Sequence, residues 1–430
     1  MQFQKARGTR DMYNEEVIIY RNIIKSLTQC AIKYNYQEFI TPIFENAQLF
    51  LRAVGDTTDI IQKEIYQFND KNDRLLALRP EGTAGIVRAI IENKLYKSKQ
   101  TLKYFYYGSM FRYERPQKGR QRQFNQFGIE TVGVKHPLVD VEVMMMALEM
   151  IKSFSIPNLT LNINYFGSNE TKNKYQIALK EQLLNQSKQL CENCQIRVKV
   201  SPLRVLDCKI CTKLNLEIPY LNDFLTNEEK TYFTTIINSL KNNKVNFIID
   251  EHLVRGLDYY NGIIFEVTTI DSRIGESQNT LLGGGRYDNL FNELGSPLKI
   301  PAIGFAIGIE RLMLLLIENK NINKPPIIDL QIIALSELGL IIASDLLLQL
   351  RKENYHIDME YNLYQDKNKS QIIDRSLAKN ILFLKEKNQV SFYSFVKKEM
   401  IKLIFDTEQQ LLSKVKNLLL EENEEYGKTL

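Results

Sequence analysis

Basic side chains are concentrated in the segment FRYERPQKGRQRQFNQFGIE, and they are the groups of this 430-residue chain most suited to chemistry. Within residues 112–122, Glu114 alone opposes five cations, which are Arg112, Arg115, Lys118, Arg120 and Arg122. Gly119 keeps this loop mobile, and strand-like stretches flank it. Such a loop suits nucleotide phosphates or a nucleic-acid backbone, and the rings of Phe124 and Phe127 suit base stacking. From charge alone, a solvated hairpin is the alternative.

Three further segments group polar residues where helices or strands begin. RGLDYYNGIIFE (255–266) places an Arg, two Tyr and an Asn before an apolar strand, as in a pocket floor or a hydrogen-bonded core edge. LALRPEGTAGIVRAI (76–90) sets Glu81 before a helix, where it could hold an ammonium group or cap that helix. The fourth segment is GFAIGIERLM (304–313), whose glycines allow close backbone approach and whose Arg311 stands at a helix start. Alone, this pattern is a weak indication of a binding site.

Several common catalytic and nucleotide motifs are excluded. The Gly-Lys-Thr at 427–429 lacks the first glycine and the preceding strand of a P-loop, and GGGR at 283–286 is not a dinucleotide fingerprint. No G-x-S-x-G elbow occurs, so acyl transfer through a serine nucleophile has no support. The chain has only three histidines, His136, His252 and His356, and no H-E-x-x-H zinc motif.

Four of the five cysteines form two C-x-x-C pairs. Cys191 and Cys194 form the first pair, Cys208 and Cys211 form the second, and 13 residues separate the pairs. Paired knuckles at about this spacing predict a structural zinc site. The alternative is a set of thiols without a metal, and the sequence leaves both open.

Composition sets broad limits on the class of protein. Apolar residues make up 44% and charged residues 25%, and the net charge is +5, which permits a polyanionic partner without requiring one. No apolar run of 18 residues occurs, so no membrane helix is expected. The N-terminus resembles neither a secretory signal nor a transit peptide, and the odd cysteine count fits thiols in a reducing cytoplasm.

The basic loop is predicted to lie between two strands of a first domain. Residues 15–35 carry apolar side chains three and four apart, which predicts an amphipathic helix. YQEFITPIFE follows, where Pro42 favours an edge or interface strand. A helix is predicted over IVRAIIENKL. The strands that flank the loop are predicted at TLKYFYYG and FNQFGIETVGV. Pro137 begins a helix that ends near Phe154.

The rest of the chain is predicted to hold an insertion and a second domain. Residues 168–250 are rich in Lys, Asn and Gln, read as helical and contain the C-x-x-C pairs. Strand-like GIIFEVTTI and the cluster LLGGGRYDNL return the chain to the first domain, and IPAIGFAIGIERLMLLL closes it with a helix. The stretch Asn323-Lys324-Pro325-Pro326 reads as a linker. Beyond it strand and helix alternate, which predicts a small α/β domain with a partly parallel sheet.

These motifs together resemble the histidine-specific class II aminoacyl-tRNA synthetases. ARGTRDM, TPIFE with Pro42 (motif 1), MFRYERPQKGRQRQFNQFGIE (motif 2), RGLDYYNGIIFE (the histidine-specific segment) and GFAIGIERL (motif 3) occur in the family's order over roughly residues 5–318, outside the insertion. The resemblance implies an α+β catalytic domain, an antiparallel sheet flanked by helices in the class II fold, at 1–167 and 251–322. It also implies a helical insertion at 168–250 and a C-terminal anticodon-binding α/β domain at 327–430.

The resemblance implies a reaction and the residues that perform it. The enzyme would activate L-histidine with ATP and Mg²⁺, transfer it to tRNA(His), and work as a cytoplasmic homodimer. Arg112 and Arg255 are the implied catalytic residues. Histidine would be bound by Glu81, Thr83, Arg112, Gln126, Glu130, Arg255, Tyr259 and Tyr260. ATP would be bound by Arg112, Arg120, Phe124 and Arg311, and the tRNA acceptor end by Gln117 and Arg122.

Two implied features bear on the shape of the pocket. A turn at Gly283–Gly285 would line it, and Glu130 and Tyr260 would bracket the imidazole through its two nitrogens. Because buried polar groups reject a substrate that cannot pair with them, such a site discriminates by about 10⁴ or more. Asn289 stands where the family has Gly, which predicts an altered turn, and the C-terminal helix KSQIIDRSLAKNILFLKE lacks the family's usual glycines.

Two other functions are alternatives to the ligase that the resemblance implies. A regulatory paralogue would bind histidine and control its biosynthesis, but such proteins lose the motif arginines and the C-terminal domain. A non-catalytic tRNA-binding module would show an eroded pocket. Arg112, Arg255 and Arg311 are all present here, and about 100 residues follow the Pro-Pro linker, so the sequence favours the enzyme.

Overall fold

A computed structural model describes most of the chain. The described residues are 3–55, 58, 60–98, 101–214, 216–271, 273, 279–317, 328–386 and 390–429, with side chains to 422. The chain divides into two compact units, 1–322 and 323–430. The linker predicted at 323–326 lies outside the described residues, and the domain boundaries within the first unit stay predictions.

The first unit is built on an eight-stranded sheet and a small three-stranded sheet. Its strands are β1 (Gln37–Glu38), β2 (Phe44–Asn46), β3 (Gln67–Asn69), β4 (Leu75–Leu78), β5 (Leu102–Phe111), β6 (Gln123–Val132), β7 (Leu159–Tyr165), β8 (Phe247–Ile249), β9 (Asn261–Thr269), β10 (Thr280–Arg286) and β11 (Ala302–Gly308). The large sheet has the order β1-β5-β6-β11-β10-β9-β7-β8 and is antiparallel except at its edges, where β1 and β8 pair parallel to their neighbours. The small antiparallel sheet has the order β2-β4-β3.

Helices in the first unit flank the large sheet or lie within residues 168–250, the predicted inserted module. They are α1 (Glu15–Lys33), α2 (Ala47–Val54), α3 (Thr83–Glu92), α4 (Pro137–Lys152), α5 (Asn169–Asn185), α6 (Glu192–Val200), α7 (Asn227–Asn242), α8 (Leu290–Glu293) and α9 (Ile309–Ile317). The helices within residues 168–250 are α5, α6 and α7. The predicted helix at 15–35 is confirmed as α1, and Pro137 begins α4 as expected. Pro42 lies between β1 and β2 instead of within a strand.

Strand alternation gives the large sheet one apolar face and one polar face. On β6, Phe127 and Ile129 belong to the core beneath α1, α4 and α9, whereas Phe124, Gln126 and Glu130 point to the opposite face. The prediction that Phe127 offers a ring for base stacking is therefore wrong. Its ring is fully buried and stacks on Phe105, with centroids 5.5 Å apart.

Gly283–Gly285 lie within β10, so the predicted turn at these residues is wrong. A Cβ atom on Gly284 would lie 2.2 Å from the carbonyl oxygen of Gly304 on β11. The glycines are needed because neighbouring groups approach this strand closely. Asn289 has φ −99°, an ordinary right-handed value, so its turn does not need the family's glycine.

The second unit is a five-stranded sheet with three helices. Its elements are β12 (Leu330–Ala334), α10 (Glu337–Lys352), β13 (Ile357–Glu360), α11 (Lys369–Arg375), β14 (Asn380–Leu384), β15 (Val390–Ser394), β16 (Glu399–Leu403) and α12 (Glu408–Thr429). The order is β13-β12-β14-β15-β16, with the first three strands parallel and the last two antiparallel. The predicted partly parallel α/β architecture is confirmed. In the described part of the chain, no helix is both long and apolar enough to cross a membrane.

A buried ion pair ties the sheet to its helices. Arg286 on β10 is 1% exposed and lies 2.7 Å from the carboxylate of Asp140 on α4, which is fully buried. Tyr232 on α7 donates its hydroxyl to the same carboxylate at 2.9 Å. Three elements distant in sequence therefore meet at one charged group.

Asp140→Ala should destabilise the first unit by about 3–5 kcal/mol, because Arg286 would keep its charge without this buried partner. The exposed pair Lys33–Glu149, 2.6 Å apart, provides the control, and Lys33→Ala should cost about 1 kcal/mol or less. Thermal unfolding of the full chain measures both. Equal losses of stability in the two variants would contradict the larger contribution expected from the buried pair.

Candidate active site

A pocket of about 190 Å³ opens on the polar face of the large sheet. Its floor comes from β6, β11 and β10, and its rim from the basic loop and the segment before β9. The predicted site residues that line it are Glu81, Thr83, Arg112, Arg120, Phe124, Gln126, Arg255, Tyr259, Tyr260 and Arg311. Residues that are up to 230 positions apart in sequence are thus brought to one cavity.

One wall of the pocket holds two arginines through a shared hydrogen-bond chain. The guanidinium of Arg255 pairs with the carboxylate of Glu266 on β9. Glu266 also accepts a hydrogen bond from the Thr280 hydroxyl at 2.9 Å, and the Thr280 carbonyl accepts from Arg311. A Cβ atom on Gly283 would lie 2.3 Å from the Arg255 guanidinium carbon, so a side chain there would displace the cation from this position.

A second wall carries cations of the basic loop. Arg112 follows β5, donates its Nε to the Pro80 carbonyl at 2.9 Å, and lies 5.3 Å from the ring centre of Phe124. The carboxylate of Glu114 lies 3.9 Å from Arg112 and 3.5 Å from Arg120. Glu114 therefore orients both arginines toward the pocket.

The charges in the pocket favour a polyanionic ligand. Burial, together with the nearby cations Arg120 and Arg255, lowers the pKa of Arg311 to about 10. Arg311 remains protonated at neutral pH, so it stays in repulsive contact with these neighbours. A phosphate chain placed among them would remove that repulsion.

The end of the pocket nearest α3 offers hydrogen-bond acceptors. The carboxylate of Glu81 accepts from the backbone N–H groups of Thr83 and Ala84, at 2.7 and 2.8 Å. It therefore caps α3, one of the two roles that the sequence left open, and it also lines the pocket. The buried Oε1 of Gln126 has no hydrogen-bond partner among the described residues. An unpaired buried acceptor and a carboxylate in one pocket suit an ammonium group.

Glu130 lies behind the pocket wall and does not line the cavity. Its carboxylate accepts from the Thr83 hydroxyl at 2.7 Å and from the Tyr287 hydroxyl, and it lies where a Cβ atom on Gly304 would clash at 1.8 Å. Burial raises the pKa of Glu130 to about 8, and the neighbouring Glu81 contributes to the rise. A cation bound nearby would favour the ionised form.

Two adjacent tyrosines, Tyr259 and Tyr260, also line the pocket. The rings of Tyr259 and Tyr260 lie 4.6 Å apart, and Tyr259 also packs edge-on against Tyr287 at 5.7 Å. Burial raises the pKa of Tyr260 to about 12. Its hydroxyl therefore stays protonated at neutral pH and can donate to a ring nitrogen.

Gln117 and Arg122 lie on the basic loop outside the pocket. Gln117 is exposed and exchanges backbone hydrogen bonds with Arg120 at 3.0 and 2.9 Å, which closes the tip of the loop. The Arg122 guanidinium stacks on the ring of Tyr113, 3.7 Å from its centre.

Sequence reasoning missed several residues that hold the site. Glu266, Thr280 and Tyr287 position predicted residues, and Glu310 lines the pocket while accepting from the Asn125 backbone at 2.9 Å. Strand alternation could have indicated Glu266, because a charged residue inside the apolar run GIIFEVTTI needs a partner. No local signal marks Tyr287.

The four paired cysteines converge at a second place, outside the pocket. Their sulfur atoms all lie within 4.8 Å of one another, and the sulfurs of Cys191 and Cys208 are 3.8 Å apart. All five cysteines of the chain are free thiols in the structure.

Known proteins resemble this chain in sequence and in structure. The family model for histidyl-tRNA synthetase matches residues 8–190 and 215–312. The histidine–tRNA ligase of Clostridioides difficile (strain 630) is 43% identical over 358 residues, which cover 83% of this chain and 84% of that relative. The crystal structure of apo S. aureus histidyl-tRNA synthetase has TM-score 0.77 and 33% identity, and covers 96% of this chain and 99% of its own.

A more distant structure shares the fold. An ATP phosphoribosyltransferase regulatory subunit/histidyl-tRNA synthetase from Bacillus halodurans C has TM-score 0.63 and 19% identity, and covers 90% of this chain and 99% of its own. The matches confirm the class II fold that the motifs implied. The family model stops before Cys191 and resumes beyond Cys211, so the matched ranges do not include the cysteine cluster.

Glu130→Gln keeps the shape of the side chain and removes its titration. Because the pKa of Glu130 is raised from 4.5 to about 8, the folded protein keeps a proton that the unfolded chain releases. Stability from this source is full below the unfolded pKa and declines as pH rises to 8. The variant should therefore gain stability over the wild type with rising pH, by about 3 kcal/mol at pH 7.

The unfolding temperature measured from pH 5 to 8 tests this prediction. The exposed Glu38→Gln should show no such trend. A constant difference between Glu130→Gln and the wild type across this range would contradict the raised pKa.

Proposed function

This chain belongs to the histidyl-tRNA synthetase family, and we propose that it activates L-histidine with ATP to histidyl-adenylate and transfers the histidyl group to the 3′ end of tRNA(His). One observation carries the proposal. A single pocket combines four arginines, Arg112, Arg120, Arg255 and Arg311, with acceptors for an ammonium group and protonated tyrosine hydroxyls. The first set suits ATP, and the second suits an amino acid with a polar ring.

Histidine would lie between α3 and the two tyrosines. Its α-ammonium group would meet Glu81, the Thr83 hydroxyl and the unpaired oxygen of Gln126. Its imidazole would receive a hydrogen bond from Tyr260 and donate one to Glu130. For the second bond, the Thr83 hydroxyl, which donates to Glu130 in this structure, would have to move aside. Approach of the ammonium would lower the pKa of Glu130 from about 8 and make it an acceptor at neutral pH.

ATP would lie across the strands of the floor. Phe124 would stack on the adenine, and Arg120 and Arg311 would meet the phosphates farther from it. The histidine carboxylate attacks the α-phosphorus, a bond forms between carboxylate oxygen and phosphorus, and pyrophosphate leaves. Negative charge on the phosphoryl oxygens increases in this step, and Arg112 and Arg255 would stabilise it from the two walls.

The donor set of the pocket fits the Mg²⁺ that ATP brings. Mg²⁺ takes oxygen ligands and is commonly held by one or two carboxylates together with substrate phosphates. Glu114 and Glu310 are carboxylates that line the pocket, and they would hold the ion. Bound there, it would neutralise part of the phosphate charge.

The tRNA would be bound at two places. We assign the acceptor end to the basic loop, where Gln117 is exposed at the tip and the Arg122 guanidinium stacks on Tyr113. We assign the anticodon to the C-terminal unit, whose α/β fold and position support this role. The free thiols support a cytoplasmic location.

A zinc ion at the four-cysteine cluster also belongs to the proposal. It would lie outside the pocket and take no part in the reaction. The regulatory alternative has less support, because Arg112, Arg255 and Arg311 all line the pocket and a C-terminal unit is present.

Apolar side chains exposed near β2 support a homodimer. Ile40 is 82% exposed, Phe44 is 54% exposed, and the Phe44 ring lies 6.4 Å from that of Phe68, which is also exposed. Apolar clusters of this kind at a surface usually meet a partner. We propose that a second copy of the chain covers them.

Arg255→Ala should lower histidine-dependent ATP–pyrophosphate exchange by at least about 10²-fold, because one of two cations at the developing charge is lost. Its unfolding temperature should stay near that of the wild type. Arg115→Ala removes an exposed cation of the basic loop that does not line the pocket, and its exchange rate should be unchanged. Full exchange activity in Arg255→Ala would sink the proposed mechanism.

Phe44→Asp should convert a dimer into monomers, because a charge would be buried at the interface. Light scattering after size exclusion should give about twice 50.2 kDa for the wild type and about 50.2 kDa for the variant. Tyr361→Asp, at an exposed position in the second unit, is the control and should stay dimeric. A wild type that is monomeric at micromolar concentration would contradict the dimer.

A further inference from the structure

The four-cysteine cluster has the geometry of a single tetrahedral metal site. In a tetrahedron of thiolates with zinc–sulfur distances of about 2.3 Å, the sulfurs are about 3.8 Å apart. Here all four sulfurs lie within 4.8 Å of one another, and those of Cys191 and Cys208 are at 3.8 Å. Three of the cysteines are buried and Cys191 is half-buried. The spacing suits one ion, whereas a cluster of several irons needs its cysteine sulfurs farther apart.

Backbone groups around the sulfurs complete the site. Cys191 immediately precedes α6 and directs its N–H to the Cys211 sulfur at 3.4 Å. The N–H groups of Ile210 and Cys211 point to the Cys208 sulfur. Such hydrogen bonds from the surrounding backbone orient and stabilise metal-bound thiolates.

The chain between the two C-x-x-C pairs reaches the histidine-specific segment. A 3-10 turn, Pro202–Val205, carries Arg204, whose guanidinium lies 3.2 Å from the carboxylate of Asp258. Asp207, next to Cys208, lies near enough to Arg255 and Glu266 to interact with their charges. The cysteine cluster therefore holds both ends of the stretch that supports the pocket wall.

A second polar contact reaches the segment from the same side. Lys172 on α5 donates to the backbone oxygens of Asp258 and Tyr260, at 3.0 and 2.6 Å. A cavity of about 280 Å³ lies between the module and the segment, and Lys172, Arg204 and Asp258 line it. Residues on both sides also belong to one buried apolar cluster, which includes Leu203 and Val254. Arg204 adds to this packing a charged, directional contact that apolar side chains cannot supply.

We infer that one Zn²⁺ bound by Cys191, Cys194, Cys208 and Cys211 positions Arg204, and through Asp258 fixes the segment that presents Arg255 and Tyr260 to histidine. The inference rests on the proposed function and extends it to a structural metal outside the family match. Arg204 is a positioning residue, since it touches the segment and does not line the pocket. Loss of zinc or of Arg204 weakens histidine binding, while the ATP wall formed by Phe124 and Arg112 is unaffected.

The first measurement is the metal content of the purified full-length protein. The wild type should contain one zinc per chain, Cys208→Ser with Cys211→Ser should contain less than one fifth of that, and Cys30→Ser is the matched thiol control with full content. Iron in place of zinc, or no metal with four free thiols, overturns the metal site. This result does not depend on whether the protein charges tRNA.

The second measurement separates positioning from folding. Arg204→Gln keeps the four thiols, so it should keep one zinc per chain, yet raise the KM for histidine in pyrophosphate exchange about 10-fold. Its KM for ATP should change less than about 3-fold, and Arg204→Lys should restore most of the loss. Lys199→Gln, exposed on α6, should behave as wild type.

The outcomes of the second measurement distinguish the two proposals. An unchanged histidine KM in both Arg204→Gln and the zinc-free double variant would overturn the positioning role, even with zinc present. Equal changes in both KM values would also overturn it. Absence of histidine-dependent exchange in the wild type would instead reject the proposed function, with the zinc content still measurable.

Discussion

The pairing of Arg255 with Glu266 above Gly283 is the contact on which the rest of the pocket depends. A buried guanidinium is costly without a partner, yet a fully neutralised one cannot bind a phosphate. Glu266 meets one edge of Arg255 and accepts a hydrogen bond from Thr280, whose carbonyl holds Arg311. On the other wall, Glu114 orients Arg112 and Arg120. Each wall thus has two cations and one carboxylate that positions them, directly or, for Arg311, through Thr280. The remaining positive charge is available to the substrate.

The same sheet separates structural from chemical residues by strand alternation. Phe127 and Ile129 face the helices, and Gln126 and Glu130 face the pocket side. Because alternate residues of a strand point to opposite faces, a core and a binding site can share one strand without conflict. This arrangement restricts β11, because Glu130 approaches Gly304 so closely that no Cβ atom fits at this position.

Sequence patterns predicted the residues of the site better than their arrangement. Arg112, Arg255 and Arg311 stand in recognisable motifs, so their meeting in one pocket could be predicted from the resemblance. The burial of Phe127 could have been predicted from alternation on β6 alone. The place of Glu130 behind Thr83 could not be predicted, because it depends on the hydroxyl of Tyr287, which follows β10. A glycine run indicates a turn when only its neighbours in sequence are considered. In β10 the glycines are instead required by the close packing of β9, β10 and β11.

The most direct test of the central claim is ATP–pyrophosphate exchange with each of the twenty amino acids, measured on the full chain with Mg²⁺ and without tRNA. The claim is that one pocket combines an ATP site with a site for an imidazole. It predicts exchange with histidine alone, at a rate about 10⁴-fold or more above any other amino acid. Exchange with several amino acids, or none with histidine, would contradict it.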